Sequence, residues 1–185
     1  MRSSLVAGAV ATLTAACSAD PPPALLDGSI VDADPQATCL VPADYAALGT
    51  RPGTPDLTVE NSLTVVLDPG PPKDDFFVKL VAGQGAFAGG GLRPGTFALT
   101  GADASFTTCG LCINLIADIV AGQGPRKFYF AESGTVTLTR ADATAGATPS
   151  KIAGSAQNLH FVETTVDGTR VPGCTSTVAS ITFGP

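Results

Sequence analysis

The sequence predicts an all-β protein, an antiparallel β-sandwich or flattened barrel of about 8–10 short strands with a duplicated hairpin unit. Three observations carry this expectation. Short runs rich in β-branched and apolar residues recur along the chain, each cut by Gly, Pro or Asp. No window gives a convincing helical period. A 24-residue stretch recurs without gaps at an offset of 39 residues. The 21 Gly and 15 Pro among 185 residues supply the many turns such a fold needs.

The chain opens with a different kind of segment. Met1-Arg2-Ser3-Ser4 gives a short positive stretch, and residues 5–16 are uncharged Leu, Val, Ala, Gly and Thr. That run suits the apolar part of a secretory signal and is too short to span a bilayer. Leu13-Thr14-Ala15-Ala16-Cys17 resembles the end of a bacterial lipoprotein signal, where small residues precede a cysteine. The resemblance implies cleavage before Cys17, a diacylglycerol thioether on its sulfur and acylation of its new amine. Two or more acyl chains hold a protein firmly to a membrane. Ser18, rather than Asp, follows the anchor, which by the Gram-negative sorting rule implies the outer membrane. Residues 1–16 are therefore expected as signal, 17–38 as lipid anchor and Pro-rich acidic stalk, and 39–185 as one β domain. Asp32-x-Asp34 in the stalk begins like a calcium loop but lacks that pattern's Gly and closing Glu.

Beyond the stalk, strands are expected at residues 63–67, 76–81, 95–100, after Cys112, and at 127–131, 134–140, 152–166 and 174–183. Phe128, Phe130, Val136, Leu138, Leu159, Phe161, Ile181 and Phe183 fall in phase and are expected on inner faces. The repeat aligns residues 81–104 with 120–143 and matches at 12 of 24 positions. Both copies read Val-Ala-Gly-Gln-Gly, then Gly-Thr, Leu-Thr and Ala-Asp-Ala. Two equivalent hairpins are expected from it, with Gly83 and Gly122 at the turns.

Composition narrows the function. The net charge is −6, and without Arg2 nine basic residues face 16 acidic ones. No basic cluster is present, which argues against nucleic acid. Trp is absent and Tyr numbers 2, which weakens the case for an aromatic sugar- or base-stacking platform. Gly83-x-Gly85 and Gly89-Gly90-Gly91 lack the strand-to-helix context of a phosphate loop. His160 is the sole histidine and is expected to face outward between inward Leu159 and Phe161, so no hydrolase triad is expected. Nothing in the sequence brings Asp74-Asp75 to Glu163, and the former pair reads as a charged loop before a strand.

Five cysteines are present. With Cys17 lipidated, Cys39, Cys109, Cys112 and Cys174 remain, and an exported chain is expected to oxidise them into two disulfides. Cys109-Gly110-Leu111-Cys112 runs into an apolar strand rather than a helix N-terminus, which weighs against a redox-active pair. Zinc would want two short-spaced pairs, and Cys39 and Cys174 stand alone. On a regular strand Cys109 and Cys112 would face opposite sides, so Cys39 is expected to join one and Cys174 the other.

Residues 95–99, the Cys109/Cys112 pair, residues 130–138 and Val171-Pro172-Gly173-Cys174 together resemble uncharacterised predicted lipoproteins of myxobacteria and related deltaproteobacteria. The resemblance spans roughly residues 95–183 and implies an all-β, disulfide-bonded fold. It carries over no catalytic residue. The expected function is that of an outer-membrane-anchored, non-enzymatic binding or structural module with a protein or glycan partner and no cofactor. The alternative is a periplasmic thiol-redox or other enzyme using Cys109 and Cys112.

Overall fold

The computed structural model describes residues 38–56, 58–59, 61–70, 72–142 and 151–185. The expected signal, the lipidated Cys17 and the stalk up to residue 37 lie outside the described residues. The rest is all-β, and its eight strands are β1 (Ala47–Pro55), β2 (Ser62–Asp68), β3 (Lys73–Leu80), β4 (Gly95–Ala98), β5 (Leu111–Ile119), β6 (Lys127–Asp142), β7 (Lys151–Thr164) and β8 (Arg170–Gly184). Two single-turn 3-10 segments, Gly85–Phe87 and Gly101–Ala104, flank β4.

Strands pair in the order β6-β5-β3-β2-β1-β8-β7, and β7 pairs back onto β6. The sheet therefore closes into a seven-stranded barrel, not a sandwich. β4 is an eighth strand, added to β6. Closure removes the open edges of these seven strands, which is the usual remedy for unpaired backbone. One pairing departs from the antiparallel expectation: β1 runs parallel to β8.

β1 is not among the expected strands. Its sequence, Ala-Leu-Gly-Thr-Arg-Pro-Gly-Thr-Pro, has no apolar alternation, and few of its side chains are covered. It is a strand because β2 and β8 present backbone groups on either side of it. Gly53 is required there, since a Cβ would lie 2.6 Å from Leu63 Cδ2.

The core fills the barrel. Leu63 and Val65 of β2, Phe76 and Val78 of β3, and Leu111 and Ile113 of β5 point inward with no exposure. Of the eight residues expected inside, Val136, Leu138, Leu159, Phe161, Ile181 and Phe183 are in this core. Phe128 and Phe130 are not. In this half of β6 the inward residues are Tyr129 and Ala131, so the expected phase is wrong by one. β6 carries one extra residue against β7 between Ala131 and Ser133, and β7 then carries one between Gln157 and His160. Gly134 (φ 133°) and Asn158 (φ 51°) absorb the irregularity. A bulge shifts the period-2 alternation, so inward positions change from odd to even within one strand. Phe130 is still buried, but on the outer side, against Cys109, Cys112 and Val81.

The two repeat copies take different shapes. Residues 120–124 form the tight β5–β6 turn, closed by bonds in both directions between Val120 and Gly124. Residues 81–85 instead begin a long loop leading to β4, so the expectation of two equivalent hairpins fails. In the first copy Gly89-Gly90-Gly91 stands where the second has Phe128-Tyr129-Phe130, and three glycines offer a strand nothing to pack. The later segments do correspond: β4 pairs antiparallel with its own counterpart in β6, with Phe97 opposite Val136.

Residues 39–46 lie along β8 and close one mouth of the barrel. Thr177 N–H donates to the Ala43 carbonyl at 2.9 Å, and Tyr45 N–H donates to the Thr177 carbonyl at 2.9 Å. Tyr129 Oη of β6 donates to the Cys39 carbonyl.

Candidate functional site

Cys39 is bonded to Cys174 and Cys109 to Cys112, which corrects the expected crosswise pairing. The reason is local. β5 begins only at Leu111, and Cys109 belongs to the preceding turn, where its N–H and that of Thr108 donate to the Ser105 carbonyl. The backbone thus doubles back at Gly110 and brings two Cα atoms of one Cys-x-x-Cys to 5.3 Å. Gly110 must be Gly, because a Cβ would collide with the Gln84 carbonyl. Asp103, buried beside it, accepts hydrogen bonds on Oδ1 from Gly110 N–H (2.8 Å) and Leu111 N–H (2.9 Å).

This corner forms one end of a groove on the outer face of the barrel, of about 500 Å³. Its floor is set by register: Phe77 of β3 stands opposite Asn114 of β5, and Lys79 opposite Cys112. Val59, Val81, Phe106 and Thr107 also line the groove. Phe106, 37% exposed, is held edge-on to Phe130 at a centroid distance of 5.8 Å. Beneath it lies Gly168, where any Cβ would strike the ring. The wall of the groove is therefore supported from two elements rather than by the turn alone.

A second cluster of polar groups sits in the mouth closed by residues 39–46. Asp74 accepts Tyr45 Oη–H on Oδ2 at 2.8 Å and Asp118 N–H on Oδ1 at 2.9 Å. Burial raises the Asp74 carboxyl above its ordinary value, although both hydrogen bonds act in the opposite direction. Burial, then the hydrogen bond to Asp74, raises the Tyr45 hydroxyl. Burial and the nearby Glu163 charge do the same for Tyr129. Lys127 Nζ lies 2.7 Å from Glu163 Oε2 and 3.8 Å from Cys174 Sγ.

Asp74 and Asp75 are thus not a charged loop, since both are buried in β3. Asp75 faces outward, pairs with Lys73 at 2.7 Å and leaves Oδ1 without a hydrogen-bond partner among the described residues. Glu163 is engaged by Lys127 and does not join them. His160 alternates with inward Leu159 and Phe161 as expected, half-buried beside Ser133 and Thr177. Among the described residues no three His, Cys, Asp or Glu side chains gather as a metal site would require. Sequence reasoning missed Lys79, Phe77 and Phe106. In β3 Phe77 and Lys79 alternate with inward Phe76, Val78 and Leu80, a pattern that could have marked them as outward, whereas no local signal marks Phe106.

A scan of family models, a search of curated proteins and a search of solved structures each found no match.

Proposed function

We propose that the chain is an outer-membrane lipoprotein, anchored through lipid on Cys17, whose barrel is a non-enzymatic binding module. The observation that carries the binding role is the outer groove between Phe77, Lys79 and Phe106. The barrel interior is packed with side chains, so a ligand is expected to meet the protein on its surface. A concave, mostly apolar surface with a few polar groups is the ordinary form of such a site. The anchor rests on the Leu13-Thr14-Ala15-Ala16-Cys17 pattern and on the apolar run before it.

A thiol-redox role draws on one observation, the Cys109–Cys112 bond at the groove. Against it, the pair sits where a turn enters a strand, without the helix N-terminus that lowers a thiol pKa, and Lys79 opposite Cys112 is the one nearby cation among the described groove residues.

Two substitutions test the proposal. Cys17→Ala abolishes membrane fractionation if the anchor is correct, and a correctly cleaved variant that stays with the membrane refutes it. Thr107→Trp places a large ring from an exposed turn into the groove. Capture from solubilised outer membranes then loses its specific co-purifying species while the fold is retained. Equal recovery with both baits removes the groove from the function.

A further inference from the structure

Building on the groove as the binding surface, we infer that its ligand is an anionic amphiphile, a small apolar chain ending in a single carboxylate received by Lys79.

Lys79 is the only charged residue among the described residues that line the groove. The chain as a whole is acidic, with 16 carboxylates against 10 cations. Among its described lining residues the groove holds a cation and no acid, a local reversal of sign. Three other cations are held in ion pairs. Lys73, Lys127 and Arg170 lie 2.7, 2.7 and 3.0 Å from Asp75, Glu163 and Glu132. Lys79 makes no ion pair among the described residues. It is half-buried, and its stem crosses the sheet face opposite the Cys112 side of the disulfide. A lysine can lay its stem on apolar walls and keep its ammonium at the rim, where an anion bound in the groove meets it at a lower effective dielectric than in open water.

The number and kind of groups select among anions. One ammonium matches one negative charge. The other polar lining groups, Gln84, Thr107 and Asn114, are neutral. A phosphate dianion calls for more donors than this, commonly a forked guanidinium or a row of backbone N–H groups.

The floor also discriminates against a peptide. Over Phe77 and Lys79, β3 is already paired on both edges, to Thr64 and Ser62 of β2 and to Asn114 and Cys112 of β5. A peptide lying there would find no ladder to join, and its N–H and C=O groups would meet Phe77, Val81 and Phe106 unpaired. A hydrocarbon chain carries no such groups. The volume of about 500 Å³ falls within the range of small-molecule sites.

The test uses the full chain carrying Cys17→Ala, so that no acyl group of its own competes. Titration calorimetry compares decanoate, 1-decanol and decyltrimethylammonium, each below its micelle-forming concentration. Decanoate binds most tightly and the cationic amphiphile least. Lys79→Met weakens decanoate by about tenfold, to the level of the alcohol, as loss of one charge-assisted bond predicts. Lys79→Arg restores it. If decanol matches decanoate, or Lys79→Met leaves decanoate unchanged, the carboxylate inference is overturned while the groove stands as an apolar binding surface. Silence from all three amphiphiles also overturns it, and the Thr107→Trp capture then decides the groove reading separately.

Discussion

Tyr45 donates its hydroxyl to Asp74 Oδ2 at 2.8 Å, tying the segment that covers one barrel mouth to the start of β3. Because burial raises the Asp74 carboxyl above 3.8, the folded chain holds its proton more tightly than the unfolded chain does. Between 3.8 and that raised value, folding takes up a proton, so this group's contribution weakens as pH rises through the window. Asp56, held below its ordinary value mainly by the Thr58 hydroxyl, acts oppositely and only below 3.8. Asp74→Asn should flatten the stability profile from about pH 4 upward, read by urea unfolding across that range. A profile as steep as that of the wild type would place the titration elsewhere.

The two disulfides should differ in what they contribute. Cys39–Cys174 closes a sequence separation of 135 residues and Cys109–Cys112 one of 3. Chain-entropy arithmetic gives about 5 kcal/mol for the first and roughly 2 kcal/mol for the second. Denaturant unfolding of the Cys39→Ser/Cys174→Ser and Cys109→Ser/Cys112→Ser variants should rank in that order. The opposite ranking would mean that native packing around Cys109, rather than loop closure, sets the effect.

Tyr129→Phe isolates one hydrogen bond. It keeps the ring in the core and removes the donor to the Cys39 carbonyl. Deleting one member of a buried hydrogen bond costs about 1–3 kcal/mol. Thermal unfolding should show a loss of that size. A neutral result would mean that the carbonyl finds another donor.

Glycine substitutions should separate turns from close approaches. At Gly154 an added Cβ would press on the Thr137 carbonyl across β6–β7, and Gly154→Ala should cost several kcal/mol or abolish folding. Gly90 has open space and an ordinary φ, so Gly90→Ala should change stability by under about 1 kcal/mol. Similar effects at the two sites would contradict the β6–β7 register.

Much of the barrel can be read from alternation alone. Phe76, Val78 and Leu80 face inward because apolar and outward residues alternate in β3, and the same holds for Ile181 and Phe183 in β8. Alternation fails where the backbone slips. Phe128 and Phe130 keep phase with Val136 and Leu138 in the sequence, yet the slip at residues 131–135 turns them outward. β1 is illegible for another reason: its pairing is dictated by neighbours far away in sequence, and its own side chains bury little. The disulfide pairing could not be read because it depends on where β5 starts, two residues after Cys109. The groove is assembled from Phe77, Phe106 and Gly168, and only folding brings three such distant stretches together.

The parallel run of residues 39–55 beside β8 has a mechanical consequence. A pull applied upstream of Cys39 enters the sulfur bridge first and passes straight to Cys174, near the start of β8. Load from that direction bypasses β2 to β7, so the covalent link shields the strands that carry the groove from tension. Reducing that single bond would instead direct the same force into the backbone contacts of Ala43 and Tyr45 with Thr177, which lie side by side and would bear it in shear.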